Sequence, residues 1–98
     1  MTWQVLLRAR AEADLKEARD WYEERQTGLG ENFIDAMSAA MAQLATAPAR
    51  HSEYYRGFRR LLLGHFPYKV FYRIQGNAVI VFRVLHGRQD HTSRLRRR

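Results

Sequence analysis

The chain has 98 residues, enough for one domain with a core that needs no covalent staples. It has no cysteine, which excludes disulfides and thiolate chemistry and is compatible with a reducing cytoplasm. Its net charge of +7 is unevenly spread, and the cationic half suits nucleic acid, a nucleoprotein or an acidic protein as partner.

Residues 1–49 hold five basic and eight acidic side chains; residues 50–98 hold twelve basic and two acidic, Glu53 and Asp90. The four histidines show no spacing typical of zinc sites, so neither a metal nor a cofactor is expected. The apolar run at the N-terminus is too short for a signal peptide, and no stretch could span a membrane. A soluble, cytoplasmic protein is the expectation.

In chain order, Thr2 to Leu7 reads as a short strand with Trp3, Val5 and Leu7 on one face. Arg8 to Gln26 then takes helical spacing, with Ala11, Leu15, Ala18 and Tyr22 forming one stripe. No good N-cap residue precedes it. Trp21 flanks the stripe. Thr27-Gly28-Leu29-Gly30 breaks the helix, and a second one follows to about Ala47, ended by Pro48. Its stripe is Phe33, Met37, Ala40 and Leu44, widened by Ile34 and Met41, and its alanines permit a close neighbour.

Arg50 to Gly57 has no strong period and reads as a loop or a short irregular strand. Phe58 to Leu63 is a strand candidate. Tyr68 to Ile74 and Val79 to Leu85 then read as a hairpin around Gln75-Gly76-Asn77-Ala78. After Arg88 the chain is polar and reads as a mobile basic tail over about 91–98 or a short turn of helix. The order β-α-α-β-β-β gives an α+β domain over residues 1–98. A helical hairpin covers one face of a mostly antiparallel sheet, and the other face stays partly open.

Cations interrupt these strands. Lys69 and Arg73 share a face with Phe71, opposite Tyr68, Val70, Tyr72 and Ile74, the set expected to face the helices. By simple alternation Arg83 shares a face with Val79, Val81 and Leu85, but the register decides which face that is. Arg59 and Arg60 are adjacent, so one points to each side.

Four segments carry a resemblance across nearly the whole chain: Ala11-x-x-Asp14-Leu15 with Trp21-Tyr22; Gly28-Leu29-Gly30-x-x-Phe33; Leu44-x-x-x-Pro48; and Phe66-Pro67-Tyr68-x-Val70-x-Tyr72-Arg73 with Val84-x-His86-x-Arg88. In this order and length they resemble the RelE/ParE superfamily of toxins from type II toxin–antitoxin modules, more closely its ParE-like branch. The resemblance implies a toxin held in a hetero-oligomeric complex by a cognate antitoxin. That antitoxin is expected to dock an acidic, amphipathic segment near Trp21 and Tyr22. It also implies one of two targets: DNA gyrase for ParE-like members, or mRNA on the ribosome for RelE-like nucleases.

The nuclease alternative needs an acid or base and charge for the phosphoryl transition state. His86 would supply the first, and Lys69, Arg73 and Arg83 the second. RelE-like nucleases commonly also carry an aromatic near the C-terminus, and here no Tyr, Phe or Trp follows Phe82. The leading expectation is therefore a gyrase poison without chemistry of its own. It would contact its target through Arg59, Arg60, Lys69, Arg73, Arg88, Arg94, Arg96 and Arg97. A third expectation, a non-toxic basic nucleic-acid-binding module, lacks a recognition-helix pattern.

Overall fold

The computed structural model describes residues 2–89 and 91–96. Its elements are β1 (Gln4–Leu7), α1 (Ala9–Arg25), α2 (Leu29–Thr46), β2 (Glu53–Tyr55), β3 (Phe58–Leu62), β4 (Tyr68–Gln75), β5 (Ala78–His86) and α3 (His91–Arg96). A 3-10 turn over Pro48–Arg50 follows α2. The strands form one sheet in the order β1-β5-β4-β3-β2, with only the β1–β5 pair parallel. This is the α+β arrangement expected from the sequence.

The helical hairpin lies on one face of the sheet. Its stripes meet strand residues in one core: Ala11, Ala18, Phe33, Met37, Ala40 and Leu44 pack with Leu61, Val70, Tyr72, Val79, Val81 and Val84. Trp3, Val5, Leu7 and Tyr22 border that core. No side chain caps the start of α1. The α1–α2 link is tight because Gly28 adopts φ 90 and a Cβ on Gly30 would stand 2.7 Å from the Arg19 carbonyl oxygen. The Glu23 carboxylate, in the last turn of α1, accepts the backbone N–H groups of Gly28 and Gly30. It thereby satisfies donors at the start of α2 that would otherwise lack a partner.

The hairpin is longer than the sequence reading. Gln75 pairs with Ala78, leaving Gly76-Asn77 as a two-residue turn. Gly76 has φ 60 at the first turn position, where a type II′ turn requires glycine. The irregular segment after the 3-10 turn includes the short strand β2, whose pairing with β3 is itself irregular.

The second face, expected to stay partly open, is covered over part of its area. Phe58, Phe71, Phe82 and Leu85 form a second core there, and Leu95 of α3 is buried in it with 1% exposure. The His91 ring packs against Phe71, and Arg96 Nε donates to the Tyr55 hydroxyl. Two buried side chains thus dock His91–Arg96, read from sequence as tail or a short turn of helix, as a helix. Arg97 and Arg98 lie outside the described residues.

Candidate functional site

A β-bulge decides where the cations of β5 go. Phe71 faces Arg83, but Tyr72 faces Val81, so β5 carries one extra residue at that point. Simple alternation therefore breaks. Val79 and Val81 face the helices, Ile80 and Phe82 face away, and beyond the bulge Val84 faces the helices while Leu85 faces away. Bulges bend a strand, interrupt the ladder and re-aim side chains.

Here the freed groups meet Asp14 of α1. Arg83 Nε donates to Asp14 Oδ2 at 2.8 Å and Arg83 Nη2 to Oδ1 at 3.0 Å, a bidentate pair. The Val84 N–H donates to the same carboxylate at 2.9 Å. Arg83 Nη1 reaches the Arg94 carbonyl of α3 at 3.5 Å. Arg83 is 4% exposed, and its charge is matched inside the fold. It joins α1, the bulge and α3, and it is not presented to a phosphate in solution.

His86 stands at the end of β5 beside Tyr68, ring centroids 5.2 Å apart. The Arg88 N–H donates to His86 Nδ1 at 3.1 Å. A ring nitrogen that accepts a backbone N–H has no proton, so the neutral imidazole carries its proton on Nε2. His86 also donates its own N–H to Gln89 Oε1 at 2.6 Å, and its carbonyl accepts from His91 Nε2. These bonds fix the start of the connection to α3.

In front of His86 lies a cleft of about 390 Å³ between α1 and the ends of β4 and β5, lined among others by Glu17, Trp21, Tyr22, Tyr68 and Arg88. Tyr22 is held by rings on three sides, Phe33, Phe66 and Tyr68. Trp21 is 48% exposed, with the Arg25 guanidinium 3.5 Å from its ring centroid. The cleft is thus an aromatic recess with one exposed indole at its rim. Glu17 was not singled out from sequence, because a lone carboxylate on a charged helix face carries no signal.

Burial raises the tyrosine pKa values at this end of the molecule and in the core. Tyr22 and Tyr72 are raised by desolvation. Tyr68 is raised by desolvation and further by Tyr22, Glu17 and Asp14. The Tyr72 hydroxyl also donates to the Pro48 carbonyl at 2.6 Å. A raised folded pKa favours the protonated native state, so the stability these groups contribute is complete below the unfolded tyrosine value near 10. Above it the unfolded chain ionises first. Denaturant midpoints should hold steady from pH 7 to 9 and fall as the pH rises through 10 and beyond. A flat profile across that range would contradict the burial of these hydroxyls.

The remaining cations divide as strand parity requires. Arg60 and Lys69 stand opposite Phe71 and Leu62 on the face away from the helical hairpin. Arg59 is on the hairpin side and donates to the His51 carbonyl. The Arg73 guanidinium lies 4.1 Å from the Phe58 ring centroid and donates to the Arg56 carbonyl at 2.6 Å. The Arg8 guanidinium lies 4.5 Å from the Phe82 centroid, on the same face. Every described carboxylate except that of Glu53 is carried by α1 or α2. The described acids are therefore concentrated on the helical layer, while Arg60, Lys69 and Arg73 lie on the face shared with α3.

The four residues of the nuclease alternative do not converge. His86 is paired with Tyr68 on the helical side, Lys69 with Leu85 on the opposite side, and Arg83 is held by Asp14. Among the described residues, no three His, Cys, Asp or Glu side chains gather to hold a metal ion. No described helix is long and apolar enough to cross a membrane.

The chain matches the family of the ParE toxin of type II toxin–antitoxin system, parDE, over residues 5–91. It is a member of the ParE toxin family. Its fold is similar to that of a solved chain from the chromosomal ParDE system of P. aeruginosa, with TM-score 0.77 and 17% identity, covering 87% of this chain and 96% of that one. It is also similar to a chain of the RelBE2 toxin–antitoxin complex of Mycobacterium tuberculosis, with TM-score 0.62 and 20% identity, covering 88% and 99%. No curated protein matches it in sequence. The ParE family match and the shared fold agree with the RelE/ParE resemblance carried by the sequence segments.

Proposed function

We propose that this ParE-type toxin acts by binding, as a poison of DNA gyrase, and that a cognate antitoxin neutralises it. One observation carries the choice: the sheet separates His86 from Lys69 and Arg73. A phosphoryl-transfer site needs its acid or base and its cations around a single phosphate. The His86 Nδ1 is moreover already occupied by the Arg88 N–H.

The target-contacting surface is the cationic face. Arg60, Lys69 and Arg73 lie on the sheet, Arg94 and Arg96 on α3, and Arg88 near the cleft. Arg59 sits on the other side and contributes at the edge. Arg97, which belongs to the same basic run, lies outside the described residues. The antitoxin reading draws support from the two structural neighbours, both from toxin–antitoxin systems. Exposed Trp21, beside half-buried Tyr22, is its anchor point. A gyrase target places the protein in the cytoplasm.

Growth arrest on induced expression tests the assignment of residues. His86→Ala is expected to retain arrest within about twofold, since it removes no target contact. Arg96→Glu with Arg97→Glu is expected to abolish it by reversing charge at the contact surface. Loss of arrest with His86→Ala in a folded, antitoxin-binding protein would favour ribosome-dependent RNA cleavage instead.

A further inference from the structure

The corner of the sheet where β2 turns into β3 gathers guanidinium groups from separate parts of the chain. Tyr55 pairs with Phe58, so Arg56-Gly57 is a two-residue turn, and both residues have positive φ, 47 and 83. That is the requirement of a type I′ hairpin turn, and Arg56 is exposed on it. Arg73 of β4 reaches the same turn. Its Nη2 donates to the Arg56 carbonyl, and its guanidinium lies 4.1 Å from the Phe58 ring centroid. From the end of α3, Arg96 Nε donates to the Tyr55 hydroxyl, while the Arg56 guanidinium stands 5.4 Å from the Tyr55 ring centroid. Phe82 extends the group: its ring packs edge-on against Phe58, with Arg73 5.6 Å and Arg8 4.5 Å from its centroid.

Like charges gathered this closely repel, and exposed cation–π contacts offset only part of that. What the rings do supply is direction. A guanidinium laid on a ring or tied to a hydroxyl keeps its planar fork of N–H donors in place, which suits bidentate contact with a phosphate. The resulting field is felt at Tyr55, whose hydroxyl is held below the usual phenol range by the Arg96 hydrogen bond first, and further by the Arg56 and Arg96 charges. Glu53, the described carboxylate outside the helical hairpin, accepts the Gly57 N–H.

The cations continue from this corner across the sheet. Lys69 shares the Arg73 face of β4, about 13 Å away by strand rise, and Arg60 stands one strand over. A single carboxylate would answer one of these groups. A duplex backbone, with a phosphate on each strand about every 3.4 Å of axis, can answer the whole row. We infer that Arg8, Arg56, Arg73 and Arg96 clamp backbone phosphates of double-stranded DNA. With gyrase as the target, on which this assignment rests, the duplex is the DNA segment bound by the enzyme, and the toxin holds the two together.

Fluorescence anisotropy of a short labelled DNA duplex with the full-length toxin tests the clamp. Log affinity should fall against log salt with a slope of about −3.6 or steeper, one phosphate contact for each of the four arginines. Arg56→Gln with Arg96→Gln should weaken binding by about tenfold or more at low salt and make the slope shallower by about 1.8. Gyrase inhibition should weaken in step. Lys16→Gln with Arg25→Gln, the same loss of charge on α1, should leave slope and inhibition as they are. Should the first variant fail to fold, the Arg73 and Arg96 side-chain Nε–H resonances of the native toxin decide, and they should shift on titration with the duplex. No saturable binding at low salt, unmoved Nε–H signals, equal losses from the two double variants, or tighter binding of duplex RNA or polyglutamate than of DNA each overturn the clamp. Inhibition of gyrase by the native toxin in any of these cases leaves the gyrase reading standing. DNA binding with the expected slope beside an uninhibited gyrase keeps the clamp and rejects that reading.

Discussion

Replacing Asp14 by alanine is expected to lower the unfolding free energy by about 3–5 kcal/mol. The carboxylate accepts from both Arg83 Nε and Nη2 and from the Val84 N–H at the bulge. Its removal leaves a buried guanidinium without a counter-charge and a bulge N–H without an acceptor, two penalties that add. A domain of this size has about 5–15 kcal/mol in total, so a large share of the stability rests on this one contact. Asp14→Asn, which keeps an acceptor for Val84 but no charge, should fall between wild type and alanine. Asp14→Ala with Arg83→Met should recover most of the loss, because no uncompensated charge remains. Urea denaturation of the four proteins measures these differences, and a loss below about 1 kcal/mol for Asp14→Ala would remove the bulge contact from the account.

Leu95→Ala is the second large effect. A buried leucine cut to alanine costs about 2–5 kcal/mol when its surroundings cannot relax. Leu95 belongs to a six-residue helix whose buried residues are His91 and Leu95, so α3 can undock instead of preserving a cavity. The loss should therefore lie near the lower bound, about 2 kcal/mol, and be local. Exchange at His91–Arg96 should become fast while β4 and β5 stay protected, and Phe71, Phe82 and Leu85 should become accessible to a hydrophobic dye. Uniform loss of protection across the sheet would mean that the second core is integral to the fold and cannot be released piecewise. The distinction matters for function, because α3 carries Arg94 and Arg96 at the target-contacting face.

The helical hairpin was legible in the sequence because its stripes repeat over about three turns each, and every named stripe residue belongs to or borders the first core. The β4 alternation was equally clear: Val70 and Tyr72 face the helices, and Lys69 and Phe71 face away. What escaped was long-range. The bulge at Phe82-Arg83 is created by an extra residue opposite β4, and nothing in local composition marks it. Periodicity therefore carried Arg83 to a face when it belongs to a contact with a carboxylate 69 residues away. The docking of α3 was missed for a related reason. A single leucine among arginines cannot announce a second core that already exists on the far side of the sheet. The candidate site followed the same pattern. Single cations could be named from sequence, but their separation across the two faces required the register.

The most direct test of the central claim assays the purified toxin in two arms: gyrase supercoiling with cleavage-complex formation, and mRNA integrity on programmed ribosomes. Binding without chemistry predicts inhibited supercoiling, trapped cleavage complexes and intact mRNA, with His86→Ala behaving like wild type. Codon-positioned cuts in the mRNA with unaffected gyrase would contradict it, and would require His86 and Lys69 to reach one phosphate despite the sheet between them.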